Sequence, residues 1–281
     1  MGRLAAALSP VNLLNGLAAT APVSSEDGLP YGAAPRQRLD LYRPQRRGNL
    51  PVVVFLYGGA WAEGDRAMYR FVGAALASAG FLAVIPDYRV FPEVRFPGFV
   101  EDAALAMRWA EANAAMLGGD PDRLVLMGHS AGAHIAALLA LDPRWLARAG
   151  VDHRRLRGLV GLAGPYDFES NGGMRRQIFA PARDYAETQP ISFASAGAPP
   201  SLLAAGRHDR VVDPGNSERL AARLRAAGAE VDLALYPHPT HESLLGAFSP
   251  ALRFLAPVFR DSVRFIEAVT RRPLQLERHA A

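Results

Sequence analysis

The chain is 281 residues long, half of them hydrophobic and 21% charged, which is enough to bury a substantial core in one large domain or two small ones. Its formal charge of +4 is spread along the sequence rather than gathered in a patch, which argues against nucleic acid as a partner. All 31 basic residues are arginine and there is no cysteine. Lysine Schiff bases, phosphate-loop lysines, thiolate nucleophiles, cysteine-bound metals and disulfides are therefore excluded, and covalent catalysis would need an oxygen or imidazole nucleophile.

Residues 1–21 are apolar and end in Ala19-Thr20-Ala21, but Pro10, Asn12 and Asn15 interrupt the run and Arg3 is its only base. A short helix is expected there, with Ser9 as N-cap, Pro10 at its first position and Gly16 as its stop. Export with residues 1–21 as a signal peptide is the alternative to a cytoplasmic location. No uninterrupted apolar run reaches the roughly 18 residues a membrane span requires.

From there, strand and helix patterns alternate, the signature of an α/β fold with a mostly parallel sheet and helices on both faces. Val52 to Tyr57 is a buried-strand run ended by Gly58-Gly59, and Tyr69 to Ala79 has helical spacing stopped by Gly80. Phe81 to Ile85 is the next strand. Residues 99–117 read as an amphipathic helix ended by Gly118-Gly119, Leu124 to Met127 as a strand and Ala131 to Leu141 as a helix. Strands are further expected at Leu159 to Ala163, Leu202 to Ala205 and Val231 to Tyr236. Helices are expected at 218–227 and over 250–270, the latter broken near Pro257. With no repeat or linker, one domain over 1–281 is the economical count, with 1–37 as an N-terminal segment and 274–281 as a flexible tail. Residues 164–200, carrying Asn171-Gly172-Gly173, Pro181, Pro190 and Pro199-Pro200, break the rhythm as a lid over the sheet edge would; a solvated connection is the alternative.

The chemistry centres on Gly128-His129-Ser130-Ala131-Gly132, a Gly-x-Ser-x-Gly set between a strand and a helix. Such a turn is so tight that only glycines fit two residues either side, and it lifts the serine hydroxyl clear of the backbone. A serine needs an oriented base. Of seven histidines, His129 lies inside the elbow, His134 one turn into the following helix, His153 in an arginine-rich stretch and His279 in the tail, while His208 shares a loop with the candidate acid. His241, at the tip of a loop turning into a helix, is preferred over His238, which two prolines clamp. Asp209, just past a strand, is the preferred acid, with Asp213 as its rival. The order Ser130, Asp209, His241 matches the nucleophile, acid, base order of one fold. In Tyr57-Gly58-Gly59-Ala60-Trp61, the amides of Gly59 and Ala60 could join that of Ala131 to hold an oxyanion. Trp61 and His129 are the candidate substrate contacts, although His129 could instead pack or hydrogen bond beneath the turn.

Together these residues resemble the α/β-hydrolase superfamily, and within it the bacterial carboxylesterases of the hormone-sensitive-lipase-like and feruloyl-esterase-like (BD-FAE) groups. The resemblance runs from about Arg38 to Phe248. It includes Ala79-Gly80-Phe81 to Asp87-Tyr88-Arg89, Asp120-Pro121-Asp122-Arg123 before the elbow strand, and Thr240-His241-Glu242. Tyr31-Gly32 to Tyr42 with Pro44 is similar to isoprenylcysteine methylesterases, and the oxyanion segment to arylformamidases. One departure is that the family's His-Gly-Gly-x-Trp begins here with Tyr57, a change expected to spare the backbone donors while reshaping the alcohol side of the pocket. The resemblance implies a serine hydrolase that cleaves small-molecule carboxylic esters of short to medium acyl chain, with no metal or organic cofactor. An arylformamidase acting on N-formylkynurenine-like formamides is the nearer alternative, and a non-catalytic ligand-binding protein the other. A homodimer is allowed by the sequence.

Overall fold

The computed structural model describes residues 14–16, 21–45, 48–169 and 172–271. Eight strands form one sheet in the order β1-β2-β4-β3-β5-β6-β7-β8, where β1 is Val23–Pro30, β2 Arg38–Pro44, β3 Leu50–Leu56, β4 Leu82–Pro86, β5 Gly119–His129, β6 Leu156–Leu162, β7 Ser201–Gly206 and β8 Val231–Tyr236. The pairs β1/β2 and β2/β4 are antiparallel and every other pair is parallel. The six parallel strands therefore all end at one edge, and the loops that leave that edge carry every candidate catalytic residue.

The helices are α1 Arg70–Ser78, α2 Gly98–Asn113, α3 Ala131–Leu141, α4 Pro143–Ala149, α5 Gly173–Phe179, α6 Gly215–Ala226, α7 His241–Gly246 and α8 Val258–Arg271. They cover both faces of the sheet, so its central strands see no water. Val52, Val53, Val54, Phe55 and Leu56 of β3 are fully buried, as are Leu124 to Met127 of β5. This is why those strands read as continuous apolar runs rather than as alternating ones. Helix α3 is buried along its whole length, beneath the elbow that starts it.

Four local readings change. Strands β1 and β2 were not expected. β1 is an edge strand with a half-exposed, mixed-polarity face, and β2 buries Asp40, whose carboxylate takes the Gly28 amide and the Arg66 guanidinium. Neither presents an apolar run, and β1 is fixed mainly by ladder pairing. Helix α4 was also missed, although Asp142 caps it by accepting from the Arg144 amide, Pro143 starts it and Gly150, at φ 81°, ends it. The expected helix over 99–117 stops at Asn113, and β5 begins at Gly119, earlier than the apolar run. In the closing region a 3-10 turn at Pro250–Leu255 precedes α8, with the break around Pro257. Of the expected N-terminal helix, residues 14–16 are helical, while Ser9, Pro10 and the tail over 274–281 lie outside the described residues.

Candidate active site

Ser130 occupies the turn between β5 and α3 with φ 55° and ψ −124°, a conformation an L-residue adopts only under constraint. The flanking glycines make it reachable. A Cβ at position 128 would lie 2.3 Å from the Gly132 carbonyl oxygen, and one at position 132 would lie 2.1 Å from that of Leu56. The Ser130 amide donates to the Leu162 carbonyl at 2.9 Å, fixing the turn to β6. Gly58 passes on the other side, so close that a Cβ there would meet the Ser130 Cβ at 2.9 Å.

The segment after β3 folds into a left-handed turn, with Ala60 at φ 50° and Trp61 at φ 59°. Among the described residues, the amides of Gly59, Ala60 and Ala131 have no acceptor. Ala131 is also the first residue of α3, whose N-terminal end favours negative charge. Tyr57, where the family pattern has histidine, does not reach the pocket. It is fully buried, its hydroxyl donates to Asp87 Oδ1 at 2.7 Å and accepts from Arg36 at 3.1 Å, and its ring stacks between Tyr69 and Tyr88. Arg36 also bonds the Gly64 carbonyl, so one guanidinium ties both ends of the turn after β3. The expectation that Tyr57 reshapes the alcohol side is thus corrected: the ring faces the core, where its polar tip finds a buried carboxylate.

Asp209 and His241 meet across the loops after β7 and β8. The His241 Nδ1–H donates to Asp209 Oδ2 at 2.7 Å, and Asp209 Oδ1 accepts from the amides of Val211 and Val212 at 2.8 and 2.9 Å. Burial raises the Asp209 pKa, but the bonds from His241 and these two amides outweigh it and hold the carboxyl below its ordinary value. His241 is the first residue of α7. Thr240 caps that helix with Ser243 in a reciprocal box, and a Cβ on Gly206 would collide with the Pro239 carbonyl, so the histidine loop lies directly on the end of β7. The rivals lie elsewhere: His238 is exposed, and Asp213 caps Gly215 and pairs with Arg219.

His129 takes a place the substrate reading did not give it. Its Nε2 bonds the His241 carbonyl oxygen at 3.0 Å, and the two rings lie 4.7 Å apart. Burial, together with the neighbouring His241, pushes the His129 pKa down to about 3, so the ring is neutral and donates that bond. The residue beside Ser130 therefore holds the loop that carries His241. Trp61 is 4% exposed and donates from Nε1 to His134 Nδ1 at 3.2 Å, while His134 Nε2 reaches the Thr188 carbonyl at 2.8 Å. Asn216 was not singled out from sequence. Its Oδ1 accepts from the amides of Tyr166 and Asp167, pinning the start of the 164–200 segment to α6.

The BD-FAE family model matches residues 39–224. The chain belongs to the BD-FAE family. It is 34% identical over 237 residues to an isoprenylcysteine alpha-carbonyl methylesterase of Arabidopsis thaliana, an alignment that covers 76% of this chain and 56% of that protein. It is 33% identical to esterase LipC of Mycobacterium tuberculosis, covering 70% and 54%. The chain thus spans about half the length of the curated relatives it matches. Among solved structures, esterase B of Lactobacillus rhamnosis superposes with a TM-score of 0.78 at 22% identity, covering 98% of this chain and 97% of that one. An esterase, rPPE, superposes at 0.70 with 24% identity, covering 95% and 91%. The fold of this BD-FAE member is the α/β-hydrolase fold.

Proposed function

We propose that the protein is a serine hydrolase that cleaves carboxylic esters through an acyl-enzyme. The observation that carries the reading is the buried Asp209–His241 pair, tethered by His129 to the strained serine elbow. Ser130 Oγ attacks the acyl carbon while His241 Nε2 takes its proton. The carbonyl oxygen becomes an oxyanion held by the amides of Gly59, Ala60 and Ala131, each such donor contributing about 2.7–4 kcal/mol to the transition state. The bond to the leaving alkoxide then breaks as His241 returns the proton to it, and water releases the acyl group by the same steps in reverse. Asp209 keeps the proton on Nδ1 and stabilises the imidazolium.

The relatives are named as methylesterase and esterase, and the carboxylic ester is what those names share. The substrate is a small molecule on this reading, and a homodimer and a cytoplasmic location remain part of it. Among the described residues no helix is long and apolar enough to cross a membrane. Ser130→Ala is the test: it should abolish p-nitrophenyl butyrate hydrolysis and fluorophosphonate labelling while circular dichroism stays unchanged. Undiminished turnover in that variant, or a wild-type protein that no fluorophosphonate labels, would overturn the reading.

A further inference from the structure

The turn after β3 is held in a conformation that its own residues resist. Gly59, Ala60 and Trp61 follow one another with φ of 136°, 50° and 59°, and two of the three carry a Cβ. Backbone of this kind persists only where the surroundings impose it. Within the turn, the amides of Ala62 and Glu63 donate to the Gly59 carbonyl at 2.9 Å. From outside, the Phe91 amide donates to the Trp61 carbonyl at 2.9 Å, and the Trp61 indole Nε1–H donates to His134 Nδ1 at 3.2 Å. The indole has little room to turn away: it is 4% exposed and packs on Phe168 and Phe179, with ring centroids 5.5 and 5.0 Å distant.

His134 belongs to the helix that the serine elbow starts. Its amide donates to the Ser130 carbonyl at 3.1 Å in the first turn of α3, of which Ala131 is the first residue. Its Nε2 lies 2.8 Å from the Thr188 carbonyl, which can only accept, so the proton sits on Nε2 and Nδ1 keeps the lone pair that receives the indole N–H. Burial lowers the His134 pKa to about 4, so that lone pair is present at neutral pH. Among the described residues, the Trp61–His134 bond is the one side-chain hydrogen bond between residues 57–64 and α3.

Resting on the ester-hydrolase reading, we infer that His134 is a positioning residue of the oxyanion hole: through the Trp61 indole it locks the turn carrying the Gly59 and Ala60 amides onto the helix carrying the Ala131 amide. The three donors come from two separate stretches, and they act together only if each lies about 2.7–3.1 Å from the same oxygen. That oxygen carries its charge in the tetrahedral state and not in the bound ester. A slackened hole therefore lowers kcat and leaves KM alone. A trifluoromethyl ketone reports on the same state: Ser130 Oγ bonds to the ketone carbon, the serine proton passes to His241, and the C=O electron pair becomes an oxyanion in the hole.

The experiment measures kcat and KM for p-nitrophenyl butyrate, and Ki for an alkyl trifluoromethyl ketone, on wild type, Trp61→Phe, His134→Leu, the double variant and His134→Asn. Each of the first two variants should lose about 2- to 13-fold in kcat, the rate equivalent of one net hydrogen bond, with KM unchanged and Ki raised by the same factor. The double variant should lose no more than the worse single variant, because the bond is broken only once. His134→Asn, whose side-chain carbonyl offers an acceptor near the place of Nδ1, should recover most of the rate. Unchanged kcat in Trp61→Phe, losses that multiply in the double variant, no recovery in His134→Asn, or a Ki that does not follow kcat would overturn the inference. A rise in KM alone would overturn it too, and would make Trp61 a substrate contact instead. Trp61→Phe, which keeps an aromatic ring and loses the donor, keeps the test decisive if His134→Leu does not fold. A wild type inert toward every ester and unlabelled by fluorophosphonate would instead sink the underlying hydrolase reading.

Discussion

His129 and His134 make this fold acid-labile in a way that can be calculated. Burial disfavours the imidazolium of both, helped at His129 by the adjacent His241, and their pKa values fall from 6.5 to about 3 and about 4. The unfolded chain takes up these protons near pH 6.5, whereas the folded chain refuses them until pH 4 or below. Throughout that window the unfolded state binds more protons, so stability is full above pH 6.5 and drains away as the pH falls. Between pH 8 and pH 5 each histidine should cost about 2 kcal/mol, about 4 kcal/mol together, against a typical domain stability of about 5–15 kcal/mol. His134→Phe isolates one of the two. It loses the bonds to Trp61 and Thr188, so its stability at pH 8 also drops, but the diagnostic quantity is the difference between the two pH values. Urea unfolding, followed through the three tryptophans, should give a pH 8 to pH 5 loss smaller by about 2 kcal/mol in the variant than in the parent. The same loss in both proteins would show that His134 is not held neutral by the fold.

Two further substitutions probe the supports of the site. His129→Phe keeps the ring but removes the bond to the His241 carbonyl, worth about 0.5–1.5 kcal/mol net; expressed in the rate, this is a loss of about 2- to 13-fold in kcat. KM should stay constant and His129→Gln, which retains a donor, should recover most of the rate; equal rates for Phe and Gln variants would reduce the contact to packing. Tyr57→Phe leaves Asp87 Oδ1 and Arg36 short of a partner and should cost about 1–3 kcal/mol in thermal or urea unfolding, with kcat reduced because the turn carrying Gly59 and Ala60 loosens. A variant as stable and as active as the parent would show that network to be incidental.

The central strands and the elbow were legible because their physics is local. A strand buried on both faces must be apolar throughout, and a serine turn this tight admits only glycine at positions 128 and 132, so both leave marks in a short stretch of sequence. Asp209 and His241 lie in hydrogen-bond contact at the ends of β7 and β8, while His238 is exposed and Asp213 pairs with Arg219, because loop position after a strand decides which edge of the sheet a residue reaches. Strands β1 and β2 left no such mark: one lies at an edge with water on its face, and the other buries a carboxylate whose partner, Arg66, is 26 residues away.

The sequence by itself determined the fold class, the elbow and the chemical types that could act there. Only the tertiary structure decided what the neighbouring side chains do: His129 turned toward the His241 carbonyl, Tyr57 toward Asp87, and four rings from three distant stretches packed on one another. The reason is physical. A glycine turn or an apolar run is specified by a residue's own backbone and immediate neighbours, whereas the direction of a buried polar or aromatic side chain is specified by partners that only folding brings within bonding distance.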